Sequence, residues 1–369
     1  MDYTKIPINP MTRSPEFIQQ SELADRYKKL AALTEQENIN GLLIELGVDG
    51  NTRFLENHPL MGPPQPGLGL FINDTYYNVD ADGGLKECLT GKVKKGDVLG
   101  VIYPEKMRYD DSLVLRSLDI GTKDITVPFG IVKARMSGND LICMKEVTRF
   151  HDRIYQSVPS MIRPGRTERD IVNNIRRTAY DIASGGFALT YQVLCSIESA
   201  GFDGVLDPRP KWPGRKLGIG DIITVKTQAA GLSSFYGGIS RSFSLGDPST
   251  EVLRKWDVSV SAMNAAVKEL SPGKTLKEAV AQASKVLDDS GYAAPDGFFI
   301  HGVGFYGVES PMNDDPSQDI PLCENMTIYV GIPVRKSPED VSVCCGNVFL
   351  ITENGAVNLN SLPNELTVL

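Results

Sequence analysis

The sequence predicts an α/β protein of two domains, and three observations carry that expectation. The chain has 369 residues, 41% apolar and 23% charged, enough at roughly 150 residues per domain for about two units with buried cores. Helix-period and strand-like segments alternate through its first part. Its second part repeats itself: IRPGRTERDI at Ile162–Ile171 is echoed by LSPGKTLKEA at Leu270–Ala279, with the Pro-Gly pairs 108 residues apart. The boundary is placed in RMSGND, Arg135–Asp140, giving domains of residues 1–138 and 141–369.

In the first domain, apolar spacing predicts a helix from Glu16 to Glu37, followed by a buried strand at Gly41–Leu46. Further strands are expected at Leu68–Ile72, Tyr76–Val79 and Asp97–Tyr103. Between the first two strands lies NHPLMGPPQPGLG, too rich in Pro and Gly for helix or central strand. In the second domain each Pro-Gly turn follows a long helical stretch and precedes a Thr N-cap with an acid three residues on, Thr167 and Asp170 or Thr275 and Glu278. Only the second is a strict capping box, because its acid is Glu. Each following helix ends at a glycine, Gly185 or Gly291, before strand-like sequence. The shared order of helix, turn, helix and strands favours two duplicated halves, with a ligand site between them.

Composition narrows the function. Acidic residues outnumber Lys plus Arg by 46 to 38, for a net charge of −8, which argues against a general nucleic-acid binder but leaves room for a local basic pocket. The longest apolar runs fall far short of the ~20 residues that span a bilayer, and the N-terminus MDYTKIPINP has no signal-peptide apolar core. A cytoplasmic protein without membrane attachment is expected. Six cysteines, without a CxxC pair, read as reduced and mostly buried thiols. Only three histidines exist, His58, His151 and His301, so a cluster of histidine ligands is not expected.

Four segments carry a resemblance. LGIGDIITVKTQAAGLSSFYGGISRSFSLGDPS (Leu217–Ser249), IHGVGFYGVESP (Ile300–Pro311), NMTIYVGI (Asn325–Ile332) and NVFLITENGA (Asn347–Ala356) resemble, in order and spacing, the creatinase/aminopeptidase superfamily of pita-bread fold, which includes Xaa-Pro aminopeptidases, prolidase and creatinase. The resemblance covers nearly all of residues 141–369 and implies a pita-bread domain of two pseudo-symmetric halves behind a creatinase/prolidase-like N-terminal domain. It also implies a homodimer.

The metalloenzymes of that family hold two divalent ions with two Asp, one His and two Glu. Carried onto this chain, the first Asp falls on Lys226, the second on Gly238, and the His on His301. The first Glu falls on Tyr329, or on Gly331 without a gap, and the last on Gly346. Loss of the carboxylates removes both ligand oxygens and the charge that offsets ion desolvation, so no metal and no other cofactor is expected. The upstream Pro-His that metal-free creatinase uses as its acid/base appears as Pro208-Arg209, which makes creatine itself an unsuitable substrate.

Positive groups in place of an acidic cage imply a small anionic, carboxylate-bearing metabolite. The sequence thus suggests a metal-independent, creatinase-like hydrolase or lyase of a C–N or related bond, with His301, Lys226 and Tyr329 as catalytic residues. Arg209, Arg241, Tyr236 and Glu309 are the expected substrate-binding residues. The alternatives are a catalytically inactive pita-bread protein used for binding and, further off, an Xaa-Pro peptidase-type metallohydrolase. Cys344-Cys345 invites a Cys-His nucleophile, although small buried hydrophobes fit the pair better.

Overall fold

The structure is a computed structural model and describes residues 20–47, 50–56, 67–183, 193–199, 216–231, 235–294, 297–313, 316–337 and 340–369. Two compact units divide the chain, one within Arg13–Ala134 and the other within Arg135–Leu369.

The first unit is built from α1 (Gln20–Glu37), β1 (Gly41–Glu45), α2 (Asn51–Leu55), β2 (Leu68–Ile72), β3 (Thr75–Asn78), α3 (Leu85–Leu89), β4 (Val98–Ile102), α4 (Tyr109–Ser117), β5 (Gly121–Asp124) and α5 (Thr126–Ala134). Its strands run in the order β3-β2-β1-β4-β5, antiparallel from β3 to β1 and parallel from β1 to β5. The unbroken burial of Leu42, Leu43 and Ile44 is what a central strand covered on both faces requires. The expected strands are present within a residue or two of their ends; residues 16–19 of the expected first helix lie outside the described residues.

The second unit begins with α6 (Gly138–Met161) and α7 (Glu168–Ala183), followed by β6 (Val193–Ser199), β7 (Ile222–Ala230) and β8 (Tyr236–Ser244). The pattern then repeats with α8 (Thr250–Lys268), α9 (Leu276–Ser290), β9 (Phe299–Gly302), β10 (Glu309–Met312), β11 (Thr327–Val334) and β12 (Val343–Thr352), ending in β13 (Gly355–Asn358) and β14 (Thr367–Val368). Among the described residues the strands form one sheet in the order β10-β9-β11-β12-β8-β7-β6, with β13 beside β12 and β14 beside β8. Gly165 and Gly273 both hold positive φ, 84° and 86°, at equivalent turns in the two halves.

The caps refine one expectation. Thr275 and Glu278 form the reciprocal box, but Thr167 and Asp170 do so too, with Thr167 N donating to Asp170 Oδ2 at 2.8 Å and Asp170 N to Thr167 Oγ1 at 3.2 Å. A carboxylate one methylene shorter still reaches back. A third box, Ser137 with Asp140, starts α6 inside the stretch in which the domain boundary is expected. Gly291 caps α9 at φ 73° as expected, whereas Gly185 lies outside the described residues. No helix among the described residues is long and apolar enough to cross a membrane. Cys88, Cys143, Cys323, Cys344 and Cys345 are free thiols.

Candidate active-site pocket

Strand pairing puts the aligned positions on one face of the sheet. Lys226 lies opposite Ser240 and Gln228 opposite Gly238; Ser240 lies opposite Gly346. Gly346 is in turn opposite Gly331, and Tyr329, two residues from Gly331, is opposite His301. Side chains two apart share a face, so Lys226, Gly238, His301, Tyr329, Gly331 and Gly346 all point the same way.

The Tyr329 ring fills the space these glycines leave. A Cβ built on Gly346 would run into the Tyr329 hydroxyl, one on Gly331 would stand 2.9 Å from Tyr329 Cε1, and one on Gly238 would stand 3.3 Å from Cε2. The phenol hydroxyl shares a 2.6 Å hydrogen bond with Ser240 Oγ, and its ring stacks on His301 with centroids 5.4 Å apart. Burial raises the Tyr329 pKa well above that of an ordinary phenol, with smaller contributions from Cys344 and, in the opposite sense, from its bond to Ser240. It therefore stays protonated at neutral pH.

Beside this plug lies a cavity of about 230 Å³, bounded by Lys226, Thr227 and Gln228 of β7, Gly238 of β8, Phe298, Phe299, His301, Val308, Asn313 and Tyr329. Among the described residues no carboxylate bounds it. Lys226 Nζ stands 4.2 Å from the centre of the Phe299 ring and, among the described residues, forms no ion pair. His301 Nδ1 lies 2.8 Å from the carbonyl oxygen of Gly302, to which it donates.

The opposite face of β7 and β8 is occupied by α6. Ring nitrogens of buried His151 meet Thr227 Oγ1 at 2.9 Å and the Ala229 carbonyl at 3.3 Å, and Tyr155 Oη reaches the carbonyls of Val225 and Ile239. A carbonyl only accepts, so Nε2 of His151 carries the proton and Nδ1 receives the Thr227 hydroxyl. Burial pushes the His151 pKa down to about 4.

Lys226, His301 and Tyr329 are thus brought into one pocket, while Arg241, Tyr236 and Glu309 of the four expected substrate-binding residues are not in its lining. Arg241 is a correction: its guanidinium donates to the carbonyls of Ser240, Gly346, Leu362 and Pro363 and to the side chains of Asn347 and Asn364, at 2.8–3.1 Å. It ties β8 to β12 and the C-terminal segment. Tyr236 packs on Tyr306 with centroids 5.4 Å apart, outside the cavity lining. Glu309 also lies outside the lining; it is 1% exposed and its Oε1 accepts from Phe305 N at 3.1 Å, shaping the turn between β9 and β10. Arg209 lies outside the described residues. The Cys345 thiol, pushed up to about 12 mainly by burial, is no nucleophile near neutral pH. Phe299 and Gln228 were legible by alternation from His301 and Lys226; Asn313 and Val308, brought in by the turn, had no such signal.

A model of metallopeptidase family M24 matches residues 142–353, more than half of the chain. The chain belongs to metallopeptidase family M24. Within M24 it is 28% identical over 222 residues to the probable dipeptidase PepE of Mycobacterium tuberculosis, a match covering 59% of this chain and 56% of that protein. The chain thus spans little more than half the length of this curated relative. The crystal structure of dipeptidase PepE from Mycobacterium ulcerans superposes with a TM-score of 0.77 at 22% identity, covering 94% of this chain and 97% of that one. An Xaa-Pro dipeptidase from Bacillus anthracis does so with a TM-score of 0.74 at 17% identity, over 94% and 100%. These superpositions show the two-domain pita-bread fold.

M24 implies a pair of divalent ions, and the residues here do not fit them. A di-metal centre needs several carboxylate oxygens converging on one chamber. The five aligned positions carry an ammonium, two glycines, a phenol and one imidazole, and the Tyr329 ring takes up the volume in which side chains at Gly238 and Gly346, and at neighbouring Gly331, would stand. Among the described residues no group of three or more His, Cys, Asp or Glu side chains is placed to hold a metal.

Proposed function

We propose that this chain is an M24 protein that works without metal and binds a small carboxylate-bearing molecule in the pocket beside Tyr329. The observation that carries this reading is Lys226, an ammonium at an aligned ligand position, facing a cavity whose described lining residues include no carboxylate. An anion entering it gains a charge-assisted contact with Lys226, and no acid among the described lining residues opposes it.

The geometry favours binding over turnover. Tyr329 is held protonated by burial and hydrogen-bonded to Ser240, and the Cys345 thiol is likewise held protonated. A C–N hydrolase or lyase would use His301 to move the proton, with Lys226 and Tyr329 beside it as the other expected catalytic residues. For such an enzyme His301→Ala abolishes turnover of a bound metabolite and leaves its affinity within a few fold.

A second reading follows from the relatives, whose names are dipeptidase and Xaa-Pro dipeptidase: peptide hydrolysis by M24 chemistry. The two are separated by assaying Xaa-Pro dipeptides with the purified chain in added Mn²⁺ or Co²⁺. The proposal expects no metal-stimulated hydrolysis; turnover that rises with metal and disappears with chelator would replace it with the second reading.

A further inference from the structure

Resting on the anion-binding reading, we infer that the pocket selects flat, aromatic carboxylates over aliphatic ones. Two groups in the lining point to this class. The Lys226 ammonium sits over the face of Phe299, 4.2 Å from its centre, with Phe298 next to it in the lining. Beside them on the same face of the sheet, His301 and Tyr329 form a stacked pair inclined by 30°. Both groups bound one cavity of about 230 Å³, smaller than the roughly 300–1,000 Å³ of sites for drug-sized ligands.

The chemistry of these groups sorts ligands by charge and by shape. The ammonium held over an aromatic ring fixes where a carboxylate docks, because cation–π attraction and an ion pair act on the same Nζ. A ring attached to that carboxylate then meets aromatic faces, where offset or edge-to-face contacts add to plain burial. A saturated ring of the same size gains the burial without those contacts. The Gln228 amide nitrogen donates to the Gly307 carbonyl, which pins the turn carrying Val308 at the rim. The pocket shape is thereby held by the protein before any ligand arrives, which reduces the ordering cost of binding.

The test is calorimetric titration of the full chain with benzoate, cyclohexanecarboxylate, acetate and the neutral isostere benzamide, together with Lys226→Met and Lys226→Gln. The inference expects benzoate to bind about three- to tenfold tighter than cyclohexanecarboxylate and at least tenfold tighter than benzamide. Both Lys226 variants should lose the preference for benzoate over benzamide while keeping the parent melting temperature. Equal or tighter binding of cyclohexanecarboxylate would overturn the aromatic preference and leave the anion-binding reading in place. Benzamide binding as well as benzoate, or no heat with any of the three acids, would overturn both. Two variants are included so that misfolding of one does not remove the comparison.

Discussion

The two faces of β7 and β8 carry opposite chemistry on the same backbone. On the α6 side, His151, Tyr155 and Arg241 have their polar atoms matched to carbonyls and amides of the surrounding strands and C-terminal segment. On the pocket side, glycines stand at two of the aligned ligand positions and at neighbouring Gly331, and a tyrosine ring takes the space, leaving Lys226 half-exposed and, among the described residues, without an ion pair. One face ties the sheet to α6 and the C-terminal segment; the other carries a lysine, a tyrosine and glycines on the same sheet. Function can change this way because a site is a small graft on a scaffold held elsewhere.

The comparison breaks most visibly at Arg241. Arg241→Ala removes the donor shared by four carbonyls and the side-chain oxygens of Asn347 and Asn364, and chemical denaturation should show a loss of about 3–5 kcal/mol. Arg241→Lys should recover little of it, because an ammonium cannot span the same acceptors. Retained stability in Arg241→Ala would refute the structural role assigned to that face.

Next in size is a pH effect on the same face. His151 has a folded pKa near 4 against about 6.5 unfolded, so the unfolded chain binds the extra proton first on acidification. Its stabilising contribution is complete above pH 6.5 and is lost as the pH falls toward 4, amounting to roughly 3 kcal/mol. Urea denaturation between pH 7 and pH 4 should reveal this slope, and His151→Gln should flatten it. An unchanged slope in that variant would place the acid sensitivity elsewhere.

On the pocket face, effects on stability should be small and effects on binding larger. Lys226→Met should keep the unfolding midpoint within about 0.5 kcal/mol while reducing benzoate affinity at least tenfold. Smallest of all, Tyr329→Phe removes one hydrogen bond to Ser240 and should cost about 1 kcal/mol, with the ring still in place. A loss several times larger would show that the hydroxyl, more than the ring, supports this face.

How far the sequence reached follows the same division. The fold was legible because helix periods, Pro-Gly turns and N-caps are local, and each has one low-energy solution; even the Asp170 box differed from expectation only in how short an acid can serve. Lys226, His301 and Tyr329 could be gathered into one pocket because strand alternation and register place them. Arg241 was misread because its partners at Gly346, Leu362 and Asn364 are more than a hundred residues away in the chain, and sequence shows a cation without showing its acceptors. That the Tyr329 ring would fill the space of Gly238, Gly331 and Gly346 required three strands side by side, which no local pattern contains.

The central proposal is that the Tyr329-filled face does not hold the metals of M24, and metal content tests it most directly. The full chain, purified from cells grown with Mn²⁺, Co²⁺ or Zn²⁺ and dialysed without chelator, would be examined by plasma mass spectrometry. The proposal predicts no stoichiometric metal in any of the three preparations and an unfolding transition unmoved by chelator. Two equivalents per chain, with a transition that drops on chelation, would contradict it.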